Sequence, residues 1–240
     1  MDGTLSELVS NPEDSEVSPH IRDPLQELCG KLHLVAVITG RSALQARRIV
    51  AIDDLLYVGN HGLEQLRNGE LSVPVGVQPH LQPLNDLKLV LQSELAIPGV
   101  SFEDKGVSFA IHYRNAPDPE AAGLQVQEAI DREGGGAFRL VPGKMVINIL
   151  PPVHLTKGTA VHDLAEGHGL EAAMYIGDDL TDLDAFRAVD DLVNDGRCEG
   201  LKIGVVGADA PREIADEADY TLGSVGEVGW FLDWLSANAG

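Results

Sequence analysis

The stretch "AAMYIGDDLTD" (172–182) decides how this chain folds. Its first six residues form an uninterrupted apolar and small run, which stops at a glycine followed by two aspartates. A strand buried on both faces reads this way, because helices covering each side leave no polar face to alternate with. Four further runs repeat the pattern: "LHLVAVITGRS" (32–42), "LLYVGNHG" (55–62), "LKIGVVG" (201–207) and "ADYTLG" (218–223). They alternate with helix-like segments. That alternation predicts an α/β fold with a parallel sheet of right-handed crossovers, whose polar loops gather beyond the strands' carboxyl ends. Chemistry is expected in those loops.

Between the second and third runs the pattern changes. After the turn "RNGE" (67–70), "HLQPLNDLKLVLQSEL" (80–95) has helical spacing, and "VSFEDKG" with "VSFAIHYR" (100–114) reads as a β-hairpin around Asp104-Lys105-Gly106. "DPEAAGLQVQEAIDREG" (118–134) is helical again, and "FRLVPGKMVINIL" (138–150) reads as a second hairpin turning at Pro142-Gly143. The expectation is a core made of 1–78 and 154–240, interrupted by a compact α+β insertion over 79–153.

Composition narrows the function. The 240 residues are 44% hydrophobic and 23% charged, ordinary for a folded chain, and no apolar run approaches the roughly 20 residues of a membrane helix. The first twenty residues lack both a basic start and an apolar stretch, and two cysteines, Cys29 and Cys198, make neither a disulfide framework nor a zinc set. A cytoplasmic setting is expected. A formal charge of −21 would repel nucleic acid and anionic membranes, so neither is expected as a partner, and a phosphorylated substrate would need local cations.

Three loops carry candidate chemistry. "GDDLTD" (177–182) sets Asp178 beside Asp179 at a strand's end, with Asp182 three residues on. Clustered carboxylates there suit a hard divalent ion such as Mg²⁺; the alternative is an Asp-rich helix cap. "LTKGTA" (155–160) places Lys157 at a helix start, where it can reach a phosphate, although taken singly a lysine is more often a solvated surface group. "ITGR" (38–41) offers the Thr39 hydroxyl to phosphate oxygens, or is a plain strand terminator. His112 alternates with Phe109 and Ile111 and reads as a strand-packing residue, and His61 as a structural histidine.

"MDGTL" (1–5), then Thr-Gly-Arg, Lys-Gly-Thr and Gly-Asp-Asp in that order, resemble the four motifs of the haloacid dehalogenase superfamily of phosphatases. The resemblance implies a Rossmann-like core, and the αββαββ insertion looks like that superfamily's C2B cap. Within the superfamily, "VGNHGLE", "EDKGVSFAIHYR", "PGKMVINI" and "GDDLTDLDAF" are similar to trehalose-6-phosphate phosphatases. Several assignments are implied. Asp2 is a catalytic acid and base, with Thr39 and Lys157 holding phosphate and Arg41 at the substrate. Mg²⁺ lies against the backbone carbonyl of Asp2 and the side chains of Asp178 and Asp179, with Asp182 supporting them from behind. Glu103, Lys105, Arg114, Lys144 and Asn148 grip the sugar. The nucleophilic aspartate of the Asp-x-Asp motif falls one residue before Met1, so the chain as written is expected to be nearly inactive. A trehalose-6-phosphate synthase is the implied pathway partner.

Two departures bear on the substrate. Asn148 stands where the family has glutamate, and Leu150 where an arginine commonly precedes proline. They leave open a phosphatase for another sugar phosphate, and a non-catalytic sugar-phosphate-binding protein.

Overall fold

A computed structural model describes residues 1–9, 12–207 and 210–239. The chain divides into two compact units, Met1–Ser72 with Leu155–Gly240, and Val73–His154. In chain order the first unit opens with α1 (Pro19–Cys29), β1 (Ala36–Ile38), α2 (Ala43–Val50), β2 (Leu56–Gly59), β3 (Glu64–Arg67) and β4 (Glu70–Ser72). The second unit contains α3 (Leu81–Glu94), β5 (Ser101–Asp104), β6 (Phe109–His112), α4 (Pro119–Arg132), β7 (Arg139–Gly143) and β8 (Val146–Leu150). The first is completed by α5 (Lys157–His168), β9 (Ala172–Gly177), α6 (Asp182–Asn194), β10 (Glu199–Val205), α7 (Arg212–Glu217), β11 (Tyr220–Leu222) and α8 (Val225–Asn238).

All five apolar runs are strands. β1 pairs in parallel with β2, Val37 opposite Tyr57, and β10 lies between β9 and β11, Ile203 opposite both Ile176 and Tyr220. β3 pairs antiparallel with β2 and β4 antiparallel with β3, so the turn at 67–70 joins two further strands of the first sheet. Asn68 and Gly69 at φ 52° and 81° make the two-residue hairpin turn whose positive φ values match the twist of the flanking strands.

The expected single sheet is instead two, ordered β1-β2-β3-β4 and β11-β10-β9. No described strand lies between β1 and β9. Their facing edges line an apolar cavity of about 560 Å³. Leu25 and Leu28 of α1 and Leu232 and Leu235 of α8 line it too, as do Val161, Leu164 and Ala165 of α5.

Helix starts fix where side chains point. Thr156 accepts hydrogen bonds from the amides of Gly158 and Thr159, while the Thr156 amide donates to the Thr159 hydroxyl at 2.8 Å. This reciprocal cap begins α5 at Lys157 and holds that residue in the first turn. Ser42 caps α2 by accepting from the Gln45 amide.

The second unit is a four-stranded antiparallel sheet in the order β5-β6-β8-β7. Leu84, Leu87 and Leu91 of α3 and Val126 and Ile130 of α4 pack with Phe109, Ile111, Ile147 and Ile149. By strand alternation, Ala110, His112 and Asn148 belong to the opposite face. The second hairpin turns at Lys144-Met145, not at Pro142-Gly143: Pro142 stays in β7 opposite Ile147. β7 is an edge strand, where a proline without an N–H is tolerated, and Met145 at φ 61° carries the turn.

Candidate active site

The loops after β1 and β9 and the turn Met1–Ser6 meet in the first unit. That turn is closed by the Met1 carbonyl, which accepts from the amides of Thr4, Leu5 and Ser6 at 3.2, 2.7 and 3.1 Å. Asp2 projects from it into a bidentate ion pair. Arg41 Nε donates to Oδ2 and Arg41 Nη2 to Oδ1, each at 2.7 Å, and Ser15 Oγ donates to Oδ1 at 2.9 Å. Burial alone would raise the Asp2 pKa, but the Arg41 hydrogen bonds and charge outweigh it and hold the carboxyl below its ordinary value. Arg41 is aimed by the end of β1, its amide donating to Thr39 Oγ1 at 3.1 Å.

The end of β9 reaches the same turn. Thr4 Oγ1 donates to Asp178 Oδ1 at 2.5 Å. Gly3, at φ +80°, lies so close that a Cβ there would stand 2.0 Å from Asp178 Oδ2, so only glycine lets the backbone approach. Burial pushes the Asp178 carboxyl up.

Behind this pair lies a buried ionic cluster. Asp182 accepts from Lys157 Nζ at 2.7 Å and from the Tyr175 hydroxyl at 2.6 Å on Oδ1. Its Oδ2 accepts from the amides of Asp178 and Asp179, both at 3.1 Å. One carboxylate therefore fixes the lysine and the loop that carries the acidic pair. Although burial opposes both charges, Lys157 is shifted up by Asp182, Asp179 and Asp178, and Asp182 is shifted down chiefly by Lys157. The cap reading of this loop also holds in part, since Asp179 Oδ1 accepts from the Thr181 amide.

Asp2, Arg41, Thr39, Thr4, Asp178, Asp179, Lys157 and Asp182 thus share one region at the carboxyl ends of β1 and β9. The carboxylates of Asp2, Asp178 and Asp179 do not form a three-ligand cluster among the described residues. The Asp2 side chain is committed to Arg41, which leaves its backbone carbonyl as its contribution to an ion. The donors fit a hard dication: all are oxygens, and Asp178 is a half-buried carboxyl whose hydrogen-bond donor among the described side chains is one neutral hydroxyl.

In the second unit, Lys105 Nζ donates to Asn148 Oδ1 at 3.1 Å and stands 3.8 Å from Glu103, while Asn148 Nδ2 donates to the Val141 carbonyl at 3.3 Å. Arg114 Nη2 donates to the Lys144 carbonyl at 3.1 Å. His112, taken for a packing residue, has Nε2 3.0 Å from Glu103 Oε2, which corrects that reading. The signal was present: alternation with Phe109 and Ile111 sends His112 to the face that carries Asn148.

Glu64 was missed altogether. It is 3% exposed, and its Oε1 accepts from the Ala43 amide at 2.7 Å and Asn60 Nδ2 at 2.9 Å, tying the start of α2 to the loop after β2. The His61 amide donates to the Thr39 carbonyl at 2.9 Å, and its ring lies against Gly40.

A family model described as trehalose-phosphatase matches residues 1–218. The chain belongs to the trehalose-phosphatase family. Trehalose-phosphate phosphatase B of Arabidopsis thaliana is 27% identical over 252 residues, covering 98% of this chain and 64% of that protein. A probable trehalose-phosphate phosphatase 4 of Oryza sativa subsp. japonica is 28% identical, covering 96% and 63%. The chain therefore spans just under two thirds of the length of these relatives. Among solved structures, the C-terminal domain of a Candida albicans trehalose-6-phosphate phosphatase superposes with a TM-score of 0.78 at 19% identity, covering 98% of this chain and 89% of the other. A haloacid dehalogenase-like hydrolase from Bacteroides thetaiotaomicron superposes at 0.66 and 14% identity, covering 98% of this chain and 96% of the other. The trehalose-phosphatase fold is thus a haloacid dehalogenase-like one.

Proposed function

We propose that this chain carries the phosphomonoesterase site of a trehalose-6-phosphate phosphatase. The observation that carries the reading is the convergence of Asp2–Arg41, Thr4–Asp178 and Lys157–Asp182 at one end of β1 and β9, in a member of this family. Mg²⁺, held by Asp178, Asp179 and the Asp2 carbonyl, would supply charge neutralisation at the transferring phosphoryl group. The family's Asp-x-Asp motif puts its covalent nucleophile two residues before the position of Asp2, which these 240 residues do not include, so we expect them by themselves to turn over negligibly.

The chain's own residues account for proton handling. Arg41 holds Asp2 ionised while no anion competes. A phosphate oxygen drawing the guanidinium away frees the Asp2 carboxyl, which, when it carries a proton, can donate it to the leaving sugar oxygen and afterwards accept one from water. Lys157 keeps two ammonium donors beyond the one given to Asp182, and Thr39 keeps its hydroxyl proton for a phosphate oxygen.

We assign sugar recognition to the second unit through Glu103, Lys105, Arg114, Lys144 and Asn148, the cytoplasm as the setting, and a trehalose-6-phosphate synthase as pathway partner. Asn148 supports a second reading, a phosphatase for a different sugar phosphate, because its amide is already engaged with Lys105 and Val141 and brings no charge.

The test is phosphate release from trehalose 6-phosphate, glucose 6-phosphate and sucrose 6-phosphate, with and without Mg²⁺, by a chain extended at its N-terminus so that an aspartate precedes Met1. Preference for trehalose 6-phosphate, lost in Asp2→Asn, is expected. Unchanged turnover in Asp2→Asn would sink the proton-transfer role, and preference for another sugar would favour the second reading.

A further inference from the structure

Both tryptophans of the chain, Trp230 and Trp234, stand on α8 and are 68% and 59% exposed. Val225, Val228, Leu232 and Ser236 of the same helix are buried against the first unit. A helix that is apolar on its buried side and aromatic on its open side gives little polar surface to water, the pattern of an element covered from both directions. Tryptophan is highly buried on average, so two neighbouring exposed indoles mark a contact surface. The rings are held in place from behind. The His20 ring lies so close to Gly229 that a Cβ there would stand 2.3 Å from it, and it meets Trp230 edge-on with 6.5 Å between ring centroids. Phe231 stands 6.0 Å from Trp234 by the same measure.

α1 runs beside α8 in the same direction, with His20 against Gly226 and Gly229 and Glu27 against Ser236. Asp23 lies between His20 and Glu27 on the same side of α1, since residues three and four apart are neighbours on a helix. Glu227 and Asp233 flank Trp230 by the same spacing on α8. Asp23, Glu27 and Asp233 are exposed. Glu27 accepts from the Ser236 hydroxyl at 2.6 Å and Glu227 from the Gly223 amide at 2.7 Å, neutral donors that leave the carboxylate charges in place. Lys31 stands at one end, its ammonium donating to the Ser236 carbonyl at 2.6 Å. An aromatic row, Trp230 and Trp234, therefore runs beside an acidic row, Asp23 and Glu27, each spaced by about one helical turn, roughly 6 Å.

We propose that the α1–α8 face docks a basic amphipathic helix of a partner protein, its apolar side chains on Trp230 and Trp234 and its lysines or arginines on Asp23, Glu27 and Asp233. A helix matches both rows at once, because its own residues one turn apart repeat at the same distance. Its cations meet the carboxylates and also the faces of the indoles, where the ring quadrupole attracts positive charge. A second copy of this chain is disfavoured, since it would set a formal charge of −21 against another and an acidic rim against itself. Nucleic acid is repelled by the same charge. None of these residues belongs to the phosphoryl site, so the proposal stands or falls apart from the phosphatase reading.

Because the chain has no other tryptophan, its indole emission reads this face alone. The probe is a peptide as long as α8, 14 residues, of leucine and lysine in helical period. Two comparison peptides carry serine in place of leucine, or glutamate in place of lysine. The leucine–lysine peptide should shift the emission saturably to shorter wavelength and bind at least about tenfold more tightly than either comparison peptide. Trp230→Ala and Trp234→Ala should each weaken it at least about tenfold and leave the melting temperature unchanged, because both rings are mainly exposed. Asp23→Asn with Asp233→Asn should slow association and flatten its salt dependence. If a tryptophan variant melts lower, the asparagine pair, exposed at both positions, decides the question by the same comparison. No shift with the leucine–lysine peptide, equal binding of a comparison peptide, or affinity that survives both tryptophan replacements overturns the proposal. So does an emission shift that grows with protein concentration alone, together with a rise in sedimenting mass, which gives the face to a second copy. A shift produced by phosphatidylcholine vesicles and not by the peptide overturns it too, and gives the face to a lipid surface.

Discussion

Replacing Asp182 by alanine tests the claim that one buried carboxylate organises the site. The side chain is 4% exposed and accepts from Lys157, Tyr175 and the amides of Asp178 and Asp179. Its removal leaves the Lys157 ammonium, itself 5% exposed, without its counter-ion, and breaking one side of such a pair costs about 3–5 kcal/mol. At about 2–4 °C per kcal/mol for a chain of this size, the melting temperature should fall by roughly 6–20 °C. Replacing both partners, Lys157→Met with Asp182→Leu, removes the orphaned charge and leaves only the Tyr175 hydroxyl and two amides short of an acceptor, a loss of about 1–3 kcal/mol. The double variant should therefore be more stable than the single one, read by urea unfolding. Because Asp182 is shifted down and Lys157 up, the pair's contribution is complete above the unfolded carboxyl pKa and below the unfolded amine pKa. It is lost as pH falls through the lower folded value of Asp182, or rises through the higher folded value of Lys157. The gap between native protein and Asp182→Ala should stay flat from about pH 5 to 9. A single-variant loss under about 1 kcal/mol, the value of an exposed pair, or a double variant less stable than the single, would refute the argument.

Two further outcomes follow from single side chains. Burial pushes the Tyr57 hydroxyl, which donates to the Ile52 carbonyl at 2.6 Å, up to about 12. Its contribution is complete below the unfolded value near 10 and is lost as pH rises from there through the folded value, so Tyr57→Phe should cost about 1 kcal/mol at pH 7 and flatten the alkaline loss in a pH series of urea melts. Asn148→Glu places a carboxylate beside Lys105, and a charge-assisted bond to a sugar hydroxyl should raise kcat/KM for trehalose 6-phosphate about tenfold in the extended chain; no change, or a gain shared equally by glucose 6-phosphate, would count against a sugar contact at this position.

What could be read from sequence was what one element states by itself. The apolar runs ending at Thr39 and Asp178 announced parallel strands with polar loops at their tips, because a continuous apolar run is a signature that needs no partner to interpret. Helix, hairpin, helix, hairpin over 80–150 was legible for the same reason: each period is local, and the observed order α3-β5-β6-α4-β7-β8 follows it. Glu64 was not legible, since nothing in "NHGLE" says that its carboxylate turns back to cap α2. His112 was half legible, its face set by alternation but its partner Glu103 set by strand register.

The sequence by itself determined the strand and helix types and the interrupted order of the two units, because these depend on neighbours within a few positions. Tertiary structure alone decided that Arg41 grips Asp2 across 39 positions, that Thr4 meets Asp178 across 174, and that β1 and β9 face each other over an apolar cavity. Those pairings depend on how distant segments pack, and no local period encodes the distance between two strand edges.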